Sequence, residues 1–146
     1  MKIHQLSLFI ENRQGQLRMP CRLLAEAGIN IQTLMLADTQ QFGILRLIVK
    51  DWQRAKKVLE EGGCAVKVSE ALALEVNDQP GGMDAIMAVI ECAGLNVEYM
   101  YAFASGREGR AVLIFRFEEI DKAIAALQAG GVNMLDSVAL YEPFEK

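Results

Sequence analysis

Two short loops carry the residue types that could hold a charged ligand. The first runs from Asn12 to Leu17 and the second from Asp78 to Met83. Each loop follows an apolar, strand-like run, contains a glycine and leads into a helical pattern. Glycine lets the backbone approach a ligand closely, and the free N–H groups of a helix start, together with the helix dipole, favour a carboxylate. The chemistry of both loops is therefore that of an anion site.

The polar residue that opens each loop extends this chemistry to a zwitterion. An Asn or Asp can hold an ammonium group, and the Asn12 amide can also donate its NH₂ to a carboxylate. The alternative is structural: Asn12 and Asp78 are helix caps or turn residues, and Gly15 and Gly81 only permit the turn. Spacing alone favours this alternative, because caps outnumber ligand sites.

The other reactive residue types do not form a catalytic pattern. Cys21, Cys64 and Cys92 are far apart in the sequence, so we expect small buried thiols, no metal site and no cofactor. His4, the single histidine, is expected to be a partly exposed structural residue. The glycine-containing run 106–110 occupies a predicted hairpin turn and does not open a helix, which excludes a phosphate loop. We therefore do not expect an enzyme.

Composition and charge exclude further classes. The 146 residues carry a net charge of −4, with a pI near 5.1. Since no dense basic cluster interrupts this acidic balance, nucleic acid is not expected as a partner. The longest apolar runs fall far short of the roughly 20 residues that cross a bilayer, and residues 1–10 lack the apolar core of a signal peptide. We expect a cytoplasmic protein that does not bind membranes.

An internal repeat organises the chain. The two loops align without a gap at an offset of 66 residues, and the offset becomes 68 after a two-residue insertion. A register held this long is typical of duplicated structural units. Matching glycine segments are Gly28-Ile29-Asn30 with Gly94-Leu95-Asn96, and Gly62-Gly63 with Gly130-Gly131.

Hydrophobic periodicity gives each repeat the element order β-α-β-β-α-β. In the first repeat we predict strands over 3–10, 30–37, 42–50 and 64–68, with helices from 17 to the cap Gly28 and from 52 to Gly62. In the second we predict strands over 71–77, 96–104, 110–117 and 133–141, with helices over 82–93 and 119–129.

This order predicts an α+β protein of two ferredoxin-like units. Each unit is expected to be an antiparallel sheet with both helices on one face. The domains are expected at 1–69 and 70–146, packed side by side because no flexible linker separates them.

The two loop motifs resemble those of the ACT domain, a small amino-acid-sensing regulatory module. The family pattern is Asn/Asp-x-Pro-Gly-x-Leu, followed by a helix that ends in Gly-φ-Asn-φ, where φ is apolar. This chain has Asn12-Arg13-Gln14-Gly15-Gln16-Leu17 with Gly28-Ile29-Asn30-Ile31. It repeats the pattern as Asp78-Gln79-Pro80-Gly81-Gly82-Met83 with Gly94-Leu95-Asn96-Val97. The resemblance covers nearly the whole chain.

The resemblance implies an effector site at a domain interface, between the loop of one unit and the helix end or second strand of another. In the first unit it implies the ligand-binding residues Asn12, Gly15, Gln16, Leu17, Asn30 and Ile31. In the second it implies Asp78, Gly81, Gly82, Met83, Asn96 and Val97. From the residues alone, Asn30 and Asn96 are also explained as turn residues that tolerate a left-handed backbone.

Departures from the family pattern concern the ligand. Serine-sensing ACT domains carry a histidine where this chain has Ile10, which argues against serine. Gln14 replaces the usual proline, and Asp78 replaces asparagine, so the two sites need not bind the same ligand.

Two functions follow from the resemblance. The first is a non-catalytic homodimer that binds a small amino acid at its domain interfaces. The second is a regulatory subunit of an amino-acid-metabolism enzyme such as acetolactate synthase, which acts mainly through protein–protein contact.

Overall fold

The computed structural model describes residues 1–38, 40–104 and 109–141. Over this part of the chain it contains seven strands and five helices. The strands are β1 (Lys2–Glu11), β2 (Thr33–Asp38), β3 (Phe42–Ile48), β4 (Val66–Asn77), β5 (Val97–Ala102), β6 (Arg110–Phe117) and β7 (Met134–Leu135). The helices are α1 (Arg18–Glu26), α2 (Trp52–Glu61), α3 (Gly82–Cys92), α4 (Ile120–Ala129) and α5 (Ser137–Tyr141).

The chain divides into two compact units. The N-terminal unit is His4–Ser69, and the C-terminal unit begins at Glu70 and includes Met1–Ile3. The predicted strands 64–68 and 71–77 are a single strand, β4, which passes through the boundary. Of the predicted hairpin turn 106–110, residues 106–108 lie outside the described part of the chain.

The N-terminal unit has the predicted ferredoxin-like architecture. Its antiparallel strands run in the order β2-β3-β1. Leu45 of the central strand β3 lies opposite Leu8 of β1 on one side and Leu36 of β2 on the other. Alternate residues of β1 point to the helices, so Leu6, Leu8 and Ile10 pack with Leu24 of α1 and Leu59 of α2. Val66 and Val68 at the start of β4 pack against the same core and complete the unit.

The C-terminal unit repeats this plan. Its strands run in the order β7-β4-β6-β5, with Leu74 opposite Leu113 and Met100 opposite Phe115. The core again joins one face of the sheet to both helices, here through Ile86 of α3 and Leu127 of α4. The predicted fold class, α+β with two ferredoxin-like units, is confirmed.

The last predicted strand, 133–141, is wrong. Only Met134–Leu135 pairs with β4, and the chain then forms helix α5. Asp136 causes the change, because its carboxylate accepts a hydrogen bond from the Ala139 backbone N–H at 2.7 Å and caps the helix. Leu140 is buried, and burial raises the pKa of Tyr141 to about 12.

The prediction of buried thiols is also wrong. Cys92 is exposed on α3, while Cys21 and Cys64 are half-buried. Burial raises the pKa of the Cys64 thiol. His4 is half-buried, as expected, and stacks on Trp52 with 4.4 Å between ring centroids.

Over the described residues, no helix is long and apolar enough to cross a membrane. Within the same residues, no group of three or more His, Cys, Asp or Glu side chains could hold a metal ion.

Candidate functional site

The two loops that the sequence singled out have the same backbone hydrogen bonds. The Asn12 N–H donates to the Gln41 carbonyl at 3.0 Å, and the Asp78 N–H donates to the Gly109 carbonyl at 2.9 Å. Gln41 and Gly109 match each other at the offset of 68, whereas the loops match at 66. Each loop thus hydrogen-bonds to the residue just before the third strand of its own unit. The bond joins a segment that repeats at an offset of 66 to one that repeats at an offset of 68.

The central glycine of each loop has a left-handed backbone. Gly15 has a φ of +89° and Gly81 a φ of +87°, values that L side chains rarely adopt. A Cβ built at either position would meet no atom within 4 Å. Glycine is therefore required by the backbone conformation, and the space above it is open to a ligand.

Of the two structural interpretations of Asn12 and Asp78, the helix cap is wrong, whereas the turn residue stays a prediction. The N-cap of α1 is Leu17 and the N-cap of α3 is Gly81, and neither helix start has a side-chain cap. Asn12 instead donates from Nδ2 to the Gln40 carbonyl at 3.4 Å. Asn12 and Asp78 are both exposed, so their side chains are accessible to a ligand.

Gly82 differs from the other predicted ligand-binding glycines. It is buried, and a Cβ there would overlap the Asn77 carbonyl oxygen. Its counterpart in the first loop is Gln16, which carries a Cβ, and α1 begins two residues later in the repeat than α3. The missing side chain of Gly82 therefore allows α3 to begin close to the end of β4.

The ends of α1 and α3, which precede Asn30 and Asn96, also share one backbone conformation. Gly28 and Gly94 have φ values of +68° and +64°. The backbone N–H of the residue after each glycine donates to the carbonyl five residues earlier. The N···O distance is 2.9 Å from Ile29 to Leu24 and 3.1 Å from Leu95 to Ile90. This pattern is the Schellman motif, which confirms the predicted left-handed cap at Gly28. It leaves Asn30 and Asn96 exposed directly after the helix, with Ile31 and Val97 half-buried beside them.

In the C-terminal unit the predicted residues line two separate clefts. Asp78 and Met83 line a cleft of about 430 Å³ together with Pro80, Ala111 and residues of β4 and β6. Asn96 and Val97 line a second cleft of about 430 Å³, at the end of α3. The structure thus brings Asp78 and Met83 together, and Asn96 and Val97 together, but it does not place the loop and the helix end of this unit in one cleft.

Several residues near the loops were not found from the sequence. They are Gln40, Gln41, Gly109, Ala111 and Leu113, which contact the loops or line their cleft. A signal for them existed, because Gln41 and Gly109 fall at the same place in the two repeats once the insertion is counted.

Comparisons with known proteins agree with this architecture. A family profile described as an ACT domain pair matches residues 1–141. The chain is similar to the crystal structure of protein BT0572 from Bacteroides thetaiotaomicron, with 32% identity, 97% of each chain covered and a TM-score of 0.90. No curated protein matches the chain in sequence.

Two more distant solved structures share the fold. The regulatory subunit of aspartate kinase from Thermus thermophilus is 18% identical, with 87% of this chain and 91% of that chain covered and a TM-score of 0.61. The corresponding subunit from Thermus flavus is 21% identical, with 88% and 90% covered and the same TM-score of 0.61.

Proposed function

The chain belongs to the family of ACT domain pairs, and from this membership we propose that it is a non-catalytic regulatory protein that binds a small amino acid. We propose that it signals the occupied state through its assembly or through contact with a partner. ACT domains are regulatory rather than catalytic, and the fold is shared with regulatory subunits of aspartate kinase. A cytoplasmic location is part of the proposal.

The observation that carries the proposal is the repeated loop geometry. In each unit an open, left-handed glycine lies beside an exposed Asn or Asp that does not cap the helix. The free amide groups near the glycine suit a carboxylate, and the oxygen of Asn12 or Asp78 suits an ammonium group. The proposed ligand-binding residues are Asn12, Gly15, Gln16, Leu17, Asn30 and Ile31, and Asp78, Gly81, Gly82, Met83, Asn96 and Val97.

We place each ligand at an interface between ACT domains. The separation of the two clefts in the C-terminal unit supports this, because one small ligand touching both kinds of segment needs them from different domains. A homodimer would supply such an interface. Binding there would change assembly only to the extent that the ligand prefers one assembly state over the other.

A thermal-shift screen of the twenty amino acids, followed by titration calorimetry, tests this proposal. A ligand that binds only the folded protein raises its melting temperature. We expect one selective ligand, and we expect Asn12→Ala combined with Asp78→Ala to weaken its binding about tenfold or more without unfolding the protein.

A matched control is Gln53→Ala combined with Asp84→Ala, which removes the same functional groups from exposed helix positions. This control should bind like the unmodified protein. Undiminished affinity in the loop double mutant would contradict the assigned site, and the two single variants would show which loop binds.

The alternative function is that of a regulatory subunit acting mainly through protein–protein contact with an amino-acid-metabolism enzyme. It is favoured by the fold shared with separate regulatory subunits of aspartate kinase, which is a different enzyme from acetolactate synthase. Co-purification with a large catalytic subunit, whose activity changes on removal of this chain, would support it. A stable homodimer that purifies alone would count against it.

A further inference from the structure

A third cavity in the C-terminal unit adjoins the loop cleft, and the two share Val76 and Asn77 as lining residues. It has a volume of about 310 Å³ and lies between α3, the end of α4 and the last residues of β4. Its apolar wall is formed by Val76, Ile86, Val89 and Val132. Glu75, Arg110 and Asn133 also line it. The cavity therefore combines aliphatic side chains with a charged pair and an amide.

The side chains of Glu75 and Arg110 have hydrogen-bonding atoms that remain available to a ligand. Glu75 Oε2 accepts hydrogen bonds from Arg110 Nη1 and from Asn133 Nδ2, both at 2.9 Å. Only 8% of the Glu75 side chain is exposed, against 52% for Arg110. Among the described residues, no donor reaches Glu75 Oε1. The carboxylate retains one acceptor oxygen, and the guanidinium retains donors beyond the one used for Glu75.

The internal repeat indicates that the fold does not need this arrangement. Glu75, Arg110 and Asn133 correspond to Phe9, Phe42 and Ala65 in the first repeat. All three counterparts are apolar, and the N-terminal unit still forms its sheet and core. Since an ion pair with a half-exposed partner contributes little to stability, stability is a weak explanation for three polar residues that occur together in one repeat only.

We propose that this cavity is a second amino-acid site, which binds a small zwitterion with a short aliphatic side chain. The ligand ammonium donates to Glu75 Oε1, and the ligand carboxylate accepts from the remaining N–H groups of Arg110. The aliphatic side chain packs against Val89 and Val132, which are half-buried and line the cavity. Because Glu75 and Arg110 neutralise each other, a ligand with no net charge fits the site better than a simple cation or anion. The site is formed within one unit. Gly82 lines it as well as belonging to the proposed loop site, but the polar groups Glu75, Arg110 and Asn133 belong to neither loop.

Two-dimensional ¹H–¹⁵N NMR with L-valine as the probe tests the proposal, because it locates binding as well as measuring it. We expect L-valine to shift the amide signals of Ala85, Val89 and Gly131, which line the cavity and lie outside both loops. Isobutylamine and isovalerate, which lack the carboxylate and the ammonium respectively, should each bind about tenfold more weakly or worse.

Glu75→Gln keeps the shape of the side chain and removes its charge, and it should weaken L-valine binding about tenfold or more. The matched control is Glu98→Gln, which removes an acid paired to Arg116 at 3.6 Å outside the cavity and should leave affinity within about twofold. If Glu75→Gln does not fold, Ala85→Leu offers a second test. Ala85 is an exposed residue that lines the cavity, so leucine there should fill the space and also weaken binding about tenfold.

Three results would overturn the proposal. The first is no shift with L-alanine, L-valine or L-leucine at about 20 mM, a concentration that detects even millimolar affinity. The second is a set of shifts confined to residues 12–17 and 78–83, which would mean binding at the loops alone. The third is unchanged affinity in folded Glu75→Gln or Ala85→Leu.

Discussion

At the scale of single residues, the pair Gly82 and Gln16 shows how one side chain sets the shape of a binding loop. The two residues match in the repeat, but only Gly82 lies so close to a carbonyl oxygen that a Cβ would overlap it. The neighbouring Gly81 is a glycine for another reason, since its φ of +87° excludes most side chains while the space around it is open. Close packing therefore requires glycine at position 82, whereas the backbone conformation requires it at position 81.

We expect Gly82→Ala to be the more damaging of the two substitutions. The overlap is with backbone, which cannot rotate away, so the free energy of unfolding should fall by about 3 kcal/mol. Gly81→Ala should cost about 1–2 kcal/mol, the penalty of a left-handed backbone with a Cβ. Urea unfolding of both variants measures the difference. A larger loss for Gly81→Ala would mean that backbone conformation, not close packing, limits this loop.

At the scale of elements, the helix ends repeat more faithfully than the helix starts. The four helices α1 to α4 all end in the same pair of backbone hydrogen bonds around a left-handed glycine. Their starts differ: Asp51 caps α2 by accepting from the Arg54 N–H at 3.2 Å, whereas Glu119 at the matching position of α4 makes no capping bond. The carboxyl group of Asp is one methylene closer to the backbone, which suits it to this role.

Asp51→Ala should therefore lower the free energy of unfolding by about 1 kcal/mol, the usual loss for a helix cap. Glu119→Ala is the matched control and should cost less, since it removes only an exposed ion pair with Lys122. Thermal or urea unfolding compares the two. Equal losses would show that the capping bond of Asp51 contributes nothing measurable.

At the scale of the whole molecule, exposed apolar side chains on an outer strand favour assembly. β2 is the outer strand of the N-terminal unit, and Leu34 and Leu36 on it are 48% and 47% exposed. Outer strands also carry unpaired backbone groups that can bond to a second chain. We expect this edge to contribute to the proposed homodimer, because pairing two copies would cover both features.

We expect Leu34→Lys combined with Leu36→Lys to produce a folded monomer. Lysine on an edge strand opposes strand pairing and is compatible with an exposed position. Light scattering on a sizing column measures the mass, and circular dichroism checks the fold. Met100→Lys, at the position of β5 that matches Leu34, is the control and should remain a dimer. A dimer that survives the double substitution would exclude the β2 edge as the interface.

Much of the fold could be predicted from the sequence because its signals are local. The period of apolar residues indicated the helices and strands, and glycine marked the helix ends at Gly28 and Gly94. The repeat register then fixed which residues correspond, and the hydrogen bonds of Asn12 and Asp78 follow it. The exception, the predicted strand 133–141, fails because the capping bond of Asp136 outweighs the strand-like pattern after it.

The tertiary structure decided which residues share a site. Only long-range packing separates the cleft of Asp78 from that of Asn96, and only the folded chain brings Glu75 to Arg110 and Asn133. By itself the sequence determined the duplicated architecture and the two candidate loops, because turns, caps and periodicity depend on neighbouring residues. The clefts, and the burial of Glu75, depend on strands and loops that are distant in sequence, so they are defined only when the sheet and helices pack together.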